Sequence, residues 1–154
     1  MQILSRSPQQ TINLGKKLSP FFKKGDIICL FGGLGTGKTT FVKGLAHGLG
    51  IKSNVVNSPS FVLIKEFKGR LPFFHFDLYR IKNLKEILSL GLEEYLFDDA
   101  VCVIEWAKHL GKEFLDSYLK IGFNFKSPEV RLIKFSYKGV RYKNLIKLYE
   151  NIIH

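Results

Sequence analysis

One stretch limits the possible folds more than any other. Residues Phe31 to Phe41, "FGGLGTGKTTF", hold four glycines, one lysine and three threonines. An acid and an unbroken apolar run, Asp26 to Phe31, precede it, as expected of a parallel strand covered on both faces. Phe41, Val42, Leu45, Ala46 and Leu49 follow at helical spacing until Gly48 and Gly50 stop the pattern. Strand, glycine loop and helix in this order commit the chain to an α/β architecture.

The remaining segments fit that class. Pro8 to Phe22 has its apolar residues near helical spacing. Phe61 to Phe67 and Pro72 to Asp77 flank "KGRL" as a β-hairpin. Asn83 to Leu90 reads as a short helix ended by Gly91, and Glu93 to Phe97 adds a turn. Ala100 to Trp106 is a second buried strand, and Tyr118 to Lys126 pairs with Val130 to Tyr137 through a turn at "KSPE". Tyr142 to Ile153 forms a C-terminal helix with Leu145, Leu148, Tyr149, Ile152 and Ile153 on one side. The expected product is one domain over residues 1–154, a three-layer fold with a central mixed sheet and a β-hairpin insertion.

The spacing from Gly32 through Gly37, Lys38 and Thr39 fits G-x-x-x-x-G-K-[ST], a loop that cradles phosphates. Its glycines, with Leu34 and Thr36 between them, let backbone N–H groups turn inward around an anion. The helix N-terminus adds positive potential. Lys38 is expected on the β- and γ-phosphates, Thr39 on Mg2+ and Thr40 at the α-phosphate. Glu105, closing the run "AVCVIEW", is the expected acid beside the metal. Asp77 in "FFHFDLYRI" either orients a water or caps a turn. His75 reads as a packed histidine, and Arg80 as a phosphate clamp or a surface ion pair. "NSPSF", with hydroxyls at Ser58 and Ser60, lies where many such proteins sense the γ-phosphate.

A formal charge of +11 on 154 residues points to an anionic partner or to a lysine-rich background. No apolar run reaches membrane-spanning length, and "MQILSRSPQQ" lacks the pattern of a secretion signal. Cys29 and Cys102 lie within apolar strand candidates, as buried reduced thiols of a cytoplasmic protein would.

The ordered motifs "GGLGTGKTTFVKGLAHGLG", "NSPSFVLIKEF", "FFHFDLYRI", "LGLEEYL" and "VIEW" resemble the bacterial TsaE (YjeE) ATPases of tRNA threonylcarbamoyladenosine biosynthesis. The likeness runs from Thr11 through Trp106, and more loosely to Arg141. It implies a small cytoplasmic P-loop ATPase that uses ATP and Mg2+. The implied partners are the threonylcarbamoyl transferase subunit and its paralogous companion, which together modify the adenosine next to the anticodon. By position, Lys38, Thr39 and Thr40 would hold phosphates, and Thr39 with Glu105 would hold the metal. Pro8 to Thr11, with Arg141 from the far end, would flank the nucleoside. Ser60 would be a switch-like hydroxyl, and Asp77 the acid of "H-x-D-L-Y-R". Gly33 departs from the family's usual Asp or Glu, and Ser60 from its usual Thr. Two rivals stay open, a small-molecule kinase and a nucleotide-sensing RNA-binding module. A GTPase is disfavoured because no N-K-x-D segment occurs.

Overall fold

A computed structural model describes residues 1–57, 63–111 and 113–154. Its sheet runs β1 (Gln2–Ser5), β7 (Arg131–Lys138), β6 (Tyr118–Phe125), β2 (Ile27–Phe31), β5 (Val101–Glu105), β4 (Pro72–Asp77) and β3 (Ile64–Lys68). β2 pairs in parallel with β5 and β6, and β4 pairs in parallel with β5. The β3–β4, β6–β7 and β1–β7 pairs are antiparallel, so the sheet is mixed, as the sequence predicts.

Three helices cover one face: α1 (Pro8–Leu18), α2 (Lys38–Gly48) and α5 (Val140–Ile153). Their buried residues, Leu18, Phe41, Leu45, Leu145 and Tyr149 among them, share a core with Ile28, Leu30, Val101 and Val103. The other face packs Ile27, Cys29, Phe74, Phe76, Cys102 and Ile104 against α3 (Leu84–Ser89), α4 (Glu93–Leu96) and the 3-10 turn Ala107–Leu110. Strands covered on both faces are mostly apolar, which is why β2, and β5 up to its closing Glu105, read as unbroken runs. Both cysteines are free and buried.

The α1–α2 contact is unusually close. A Cβ at Gly15 would meet the Phe41 carbonyl oxygen at 2.5 Å, and one at Gly44 would run into the Ile12 carbonyl. Glycine at both positions lets the helices touch backbone to backbone, which brings the start of α1 to the start of α2.

Most elements fall within a few residues of their sequence-predicted bounds, and one strand is additional. β1 is only four residues long, too short for alternation to show, and exists because it pairs with β7. The first hairpin strand begins at Ile64, and of the region from Phe61 assigned to it, Phe61 and Val62 lie outside the described residues. Among the described residues, no helix is long and apolar enough to cross a membrane.

Candidate functional site

Parallel pairing brings the C-terminal ends of β2, β4, β5 and β6 to one edge of the sheet. The glycine loop leaves β2 at this edge and enters α2. Gly37 caps α2 with φ 101°, a left-handed conformation that a side chain would strain. A cleft of about 890 Å³ opens here. Leu34, Gly35, Thr36, Gly37, Lys38, Thr39 and Thr40 line it, so the loop forms its floor. Leu34 itself is 68% exposed at the rim.

Lys38 is 5% exposed, and its ammonium donates to the carbonyls of Gly32 at 2.8 Å and Gly33 at 2.7 Å. It also lies 4.4 Å from the Trp106 ring centroid. Burial pulls its pKa below the ordinary lysine value, while nearby Glu105 and Asp77 oppose that shift. The charge is therefore held by its own loop and by π-density.

Glu105 ends β5 and is 2% exposed. Its Oε1 accepts the Thr39 hydroxyl at 2.8 Å and lies 2.9 Å from His75 Nε2. Strand and loop thus meet through one carboxylate oxygen. Asp77 lies opposite Glu105 in the β4–β5 register and lines the cleft. Its Oδ1 accepts the Tyr79 backbone N–H at 3.0 Å, as a turn aspartate would, while the residue also borders the cleft. His75 is fully buried, as a packed histidine would be. Arg80 is exposed and lines the cleft.

Pro8 and Thr11 line the cleft from the start of α1. The buried Thr11 hydroxyl is 2.7 Å from Ser5 Oγ, tying α1 to β1. Gly33 contributes differently than expected. It does not line the cleft, and its carbonyl accepts from Lys38 and, at 2.8 Å, from the Thr36 hydroxyl. Among the described residues a Cβ at Gly33 would meet nothing within 4 Å, so none of them demands glycine there. Ser60 and Ser58 lie outside the described residues.

Arg141 needs correction. It does not line the cleft but sits at the opposite end of β2. Its guanidinium donates to Asp26 at 3.1 and 2.7 Å and to the Phe21 carbonyl at 2.7 Å. Asp26 precedes β2 and the loop follows it, so the five-residue strand separates them by about 16 Å. An arginine from the C-terminal region does reach the cleft, but it is Arg131, on the far side of the β6–β7 turn. Its guanidinium stacks on Phe125 at 4.2 Å and donates to Pro128 and Gly35 carbonyls at 2.8 and 3.4 Å.

Arg131, Pro128, Glu129, Arg6, Tyr79 and Trp106 also line the cleft, and sequence reasoning gave them no role there. The "KSPE" turn was legible. Its place beside the loop follows only once β6 is known to run parallel to β2. Trp106 is the one non-glycine residue with positive φ (59°) among the described residues, which for so bulky a side chain marks a special site.

Residues 5–133 match the family model described as "Threonylcarbamoyl adenosine biosynthesis protein TsaE". The Bacillus subtilis tRNA threonylcarbamoyladenosine biosynthesis protein TsaE is 41% identical over 140 residues, covering 90% of this chain and 87% of the relative. The Haemophilus influenzae protein of the same name is 31% identical over 150 residues, covering 91% of each. A crystal structure of Bacillus subtilis YdiB superposes with TM-score 0.86 at 35% identity, covering 100% of this chain and 96% of that one. The mixed sheet and glycine loop are those of a P-loop NTPase-like α/β fold. The chain belongs to the TsaE family of threonylcarbamoyl adenosine biosynthesis proteins.

Proposed function

We propose that this protein is a Mg2+-dependent ATPase that couples hydrolysis to the threonylcarbamoylation of tRNA. One observation carries the reading. The hydroxyl after the loop lysine, Thr39, bonds Glu105 across the mouth of a phosphate-type loop. This joins the expected phosphate and metal ligands within one cleft.

The residues fit Mg2+. Thr39 and Glu105 offer hard oxygens, and among the described residues no cluster of three or more His, Cys, Asp or Glu forms a closed metal cage. Few protein ligands suit this cation, which binds through one or two carboxylates, water and substrate phosphates. When bound, it neutralises phosphate charge and polarises the terminal phosphoryl group.

Everything else falls to the chain's own groups. Lys38 exchanges two neutral carbonyl acceptors for charged phosphate oxygens, a stronger pairing. Loop N–H groups and the start of α2 hold the phosphates. Asp77 stands beside Glu105, where a carboxylate can orient an attacking water. Thr11, Pro8, Arg131 and Pro128 line the same cleft and would wall the side where a nucleoside extends.

The partners of this reading are the threonylcarbamoyl transferase subunit and its paralogous companion, with tRNA reached through their complex. The exposed rim supports docking at the cleft: Leu34 and Tyr79 are exposed beside Arg6 and Arg80. A partner seated there would exclude water and order the rim. The two reduced thiols suit a cytoplasmic setting.

Phosphate release from ATP by the protein alone, then with the partner pair across a salt series, tests the reading. Slow turnover alone, acceleration by the partners and weaker association at high salt are expected. Fast turnover that ignores the partners would reject the coupling role. Transfer of phosphate to an added hydroxyl compound instead of water would identify a kinase.

A further inference from the structure

β4 reads Pro-Phe-Phe-His-Phe-Asp, and its histidine is out of place by the standards of a core. His75 is 0% exposed between Phe74 and Phe76. Phe73, two residues earlier, belongs to the core shared with α2, so strand alternation turns His75 and Asp77 toward the α2 face. The imidazole Nε2 lies 2.9 Å from Glu105 Oε1. Its Nδ1 is buried and has no hydrogen-bond partner among the described residues. Leaving such an atom unpaired destabilises a fold, and a fourth phenylalanine would avoid that. Packing alone does not account for this histidine.

An ionised carboxylate can only accept, so this pairing calls for the tautomer with the proton on Nε2 and the lone pair on Nδ1. A proton on Nδ1 would be a buried donor with nothing to meet. The same Oε1 also accepts from Thr39, the residue expected to turn toward a cation. We propose that His75 is a positioning residue, its Nε2–H fixing Glu105 Oε1 so that the carboxylate keeps one orientation independently of the Thr39 hydroxyl. This rests on the ATPase reading for its consequence, but not for its geometry. Hydrogen-bonded partners of a metal-binding carboxylate commonly change metal affinity or activity by about 10- to 100-fold when removed.

Two variants and one spectrum test it. His75→Phe fills the space and removes the donor, whereas His75→Gln restores an N–H at similar reach. For His75→Phe we expect a melting temperature no lower than wild type and a KM for ATP within about twofold. We expect its kcat to fall about tenfold or more, and Mn2+ binding, read by electron paramagnetic resonance with ATP present, to weaken comparably. His75→Gln should recover most of both losses. Unchanged kcat and Mn2+ binding in His75→Phe, or no recovery in His75→Gln, would overturn the assignment. Nitrogen NMR of the ligand-free wild-type protein should show the Nε2–H tautomer, and an Nδ1–H tautomer would also overturn it. That spectrum needs neither turnover nor a folded variant. An inactive wild-type protein showing the Nε2–H signal would reject the ATPase reading and leave the positioning geometry standing.

Discussion

The two ends of β2 each bury charge, and they satisfy it in opposite ways. At the start of the strand, Asp26 is 4% exposed. It accepts the Lys23 backbone N–H at 2.8 Å and two donors of Arg141. Next to it, the Ile27 N–H donates to the Tyr142 hydroxyl at 2.7 Å. All these bonds lie within the protein, and together they fasten α5 to the sheet. At the other end, Lys38 is held by carbonyls of its own loop, and Glu105 shares one oxygen between Thr39 and His75. Under the proposed function, a ligand's atoms would replace the loop carbonyls and the Thr39 hydroxyl at the cleft, while the buried His75 stays with Glu105. Buried charge with permanent partners builds structure; buried charge with replaceable partners is ready to bind.

The largest break in this contrast should come from Lys38→Ala. It removes the ammonium expected on the phosphates, so affinity for a fluorescent ATP analogue should fall at least about 100-fold, equivalent to roughly 2.7 kcal/mol. The melting temperature should stay near wild type, because only loop carbonyls lose a donor. Wild-type-like binding would remove the phosphate-loop assignment.

Glu105→Gln is next. It keeps shape but loses charge at the oxygen shared by Thr39 and His75. Single-turnover hydrolysis should drop by about 10- to 100-fold, with ATP affinity changing far less. Equal losses in both would make Glu105 a ground-state binding residue instead.

Arg141→Ala probes the other end. It leaves Asp26 buried without its cation, and breaking buried pairs one-sidedly costs about 3–5 kcal/mol. Arg141 is partly exposed, so about 2 kcal/mol is expected here, visible in urea unfolding. ATP affinity should not change.

The smallest effect concerns alkaline pH. Burial pushes the Cys102 thiol from its ordinary 9.0 up to about 12, and it also raises Cys29, Tyr142 and Tyr149. Below pH 9 these groups are protonated in both states and the fold keeps their full contribution. As pH rises past 9, the unfolded chain releases protons that the folded chain retains, so stability should decline. Thermal melts between pH 8 and 11 would show it, and a flat profile would contradict the buried placement of these groups.

How much of this was legible in the sequence depends on whether a feature is local. The loop, Thr39 and Glu105 were readable because each sits in a local pattern: a fixed glycine spacing, or an apolar run closed by an acid. β2, and β5 up to its closing Glu105, announce their burial on both faces by unbroken apolar runs. The order of strands was not readable, since nothing in β6 itself says that it lies beside β2. Arg131 is hidden from the sequence for that reason, and Arg141, expected beside a nucleoside, lies a strand's length from the cleft. The sequence pattern marks His75 as packed, which it is, but its bond to Glu105 spans thirty residues and appears only when β4 lies against β5. β1 escaped because a four-residue edge strand owes its existence to its partner.

One crossed experiment tests the division of labour between the two ends of β2. ATP titration calorimetry with Mg2+ and urea unfolding would be run side by side on wild type, Lys38→Ala and Arg141→Ala. If the ends are separate, Lys38→Ala loses ATP binding and keeps its stability, while Arg141→Ala loses stability and keeps ATP binding. An Arg141→Ala protein that binds ATP markedly more weakly, or a Lys38→Ala protein that binds it as wild type does, would contradict that division.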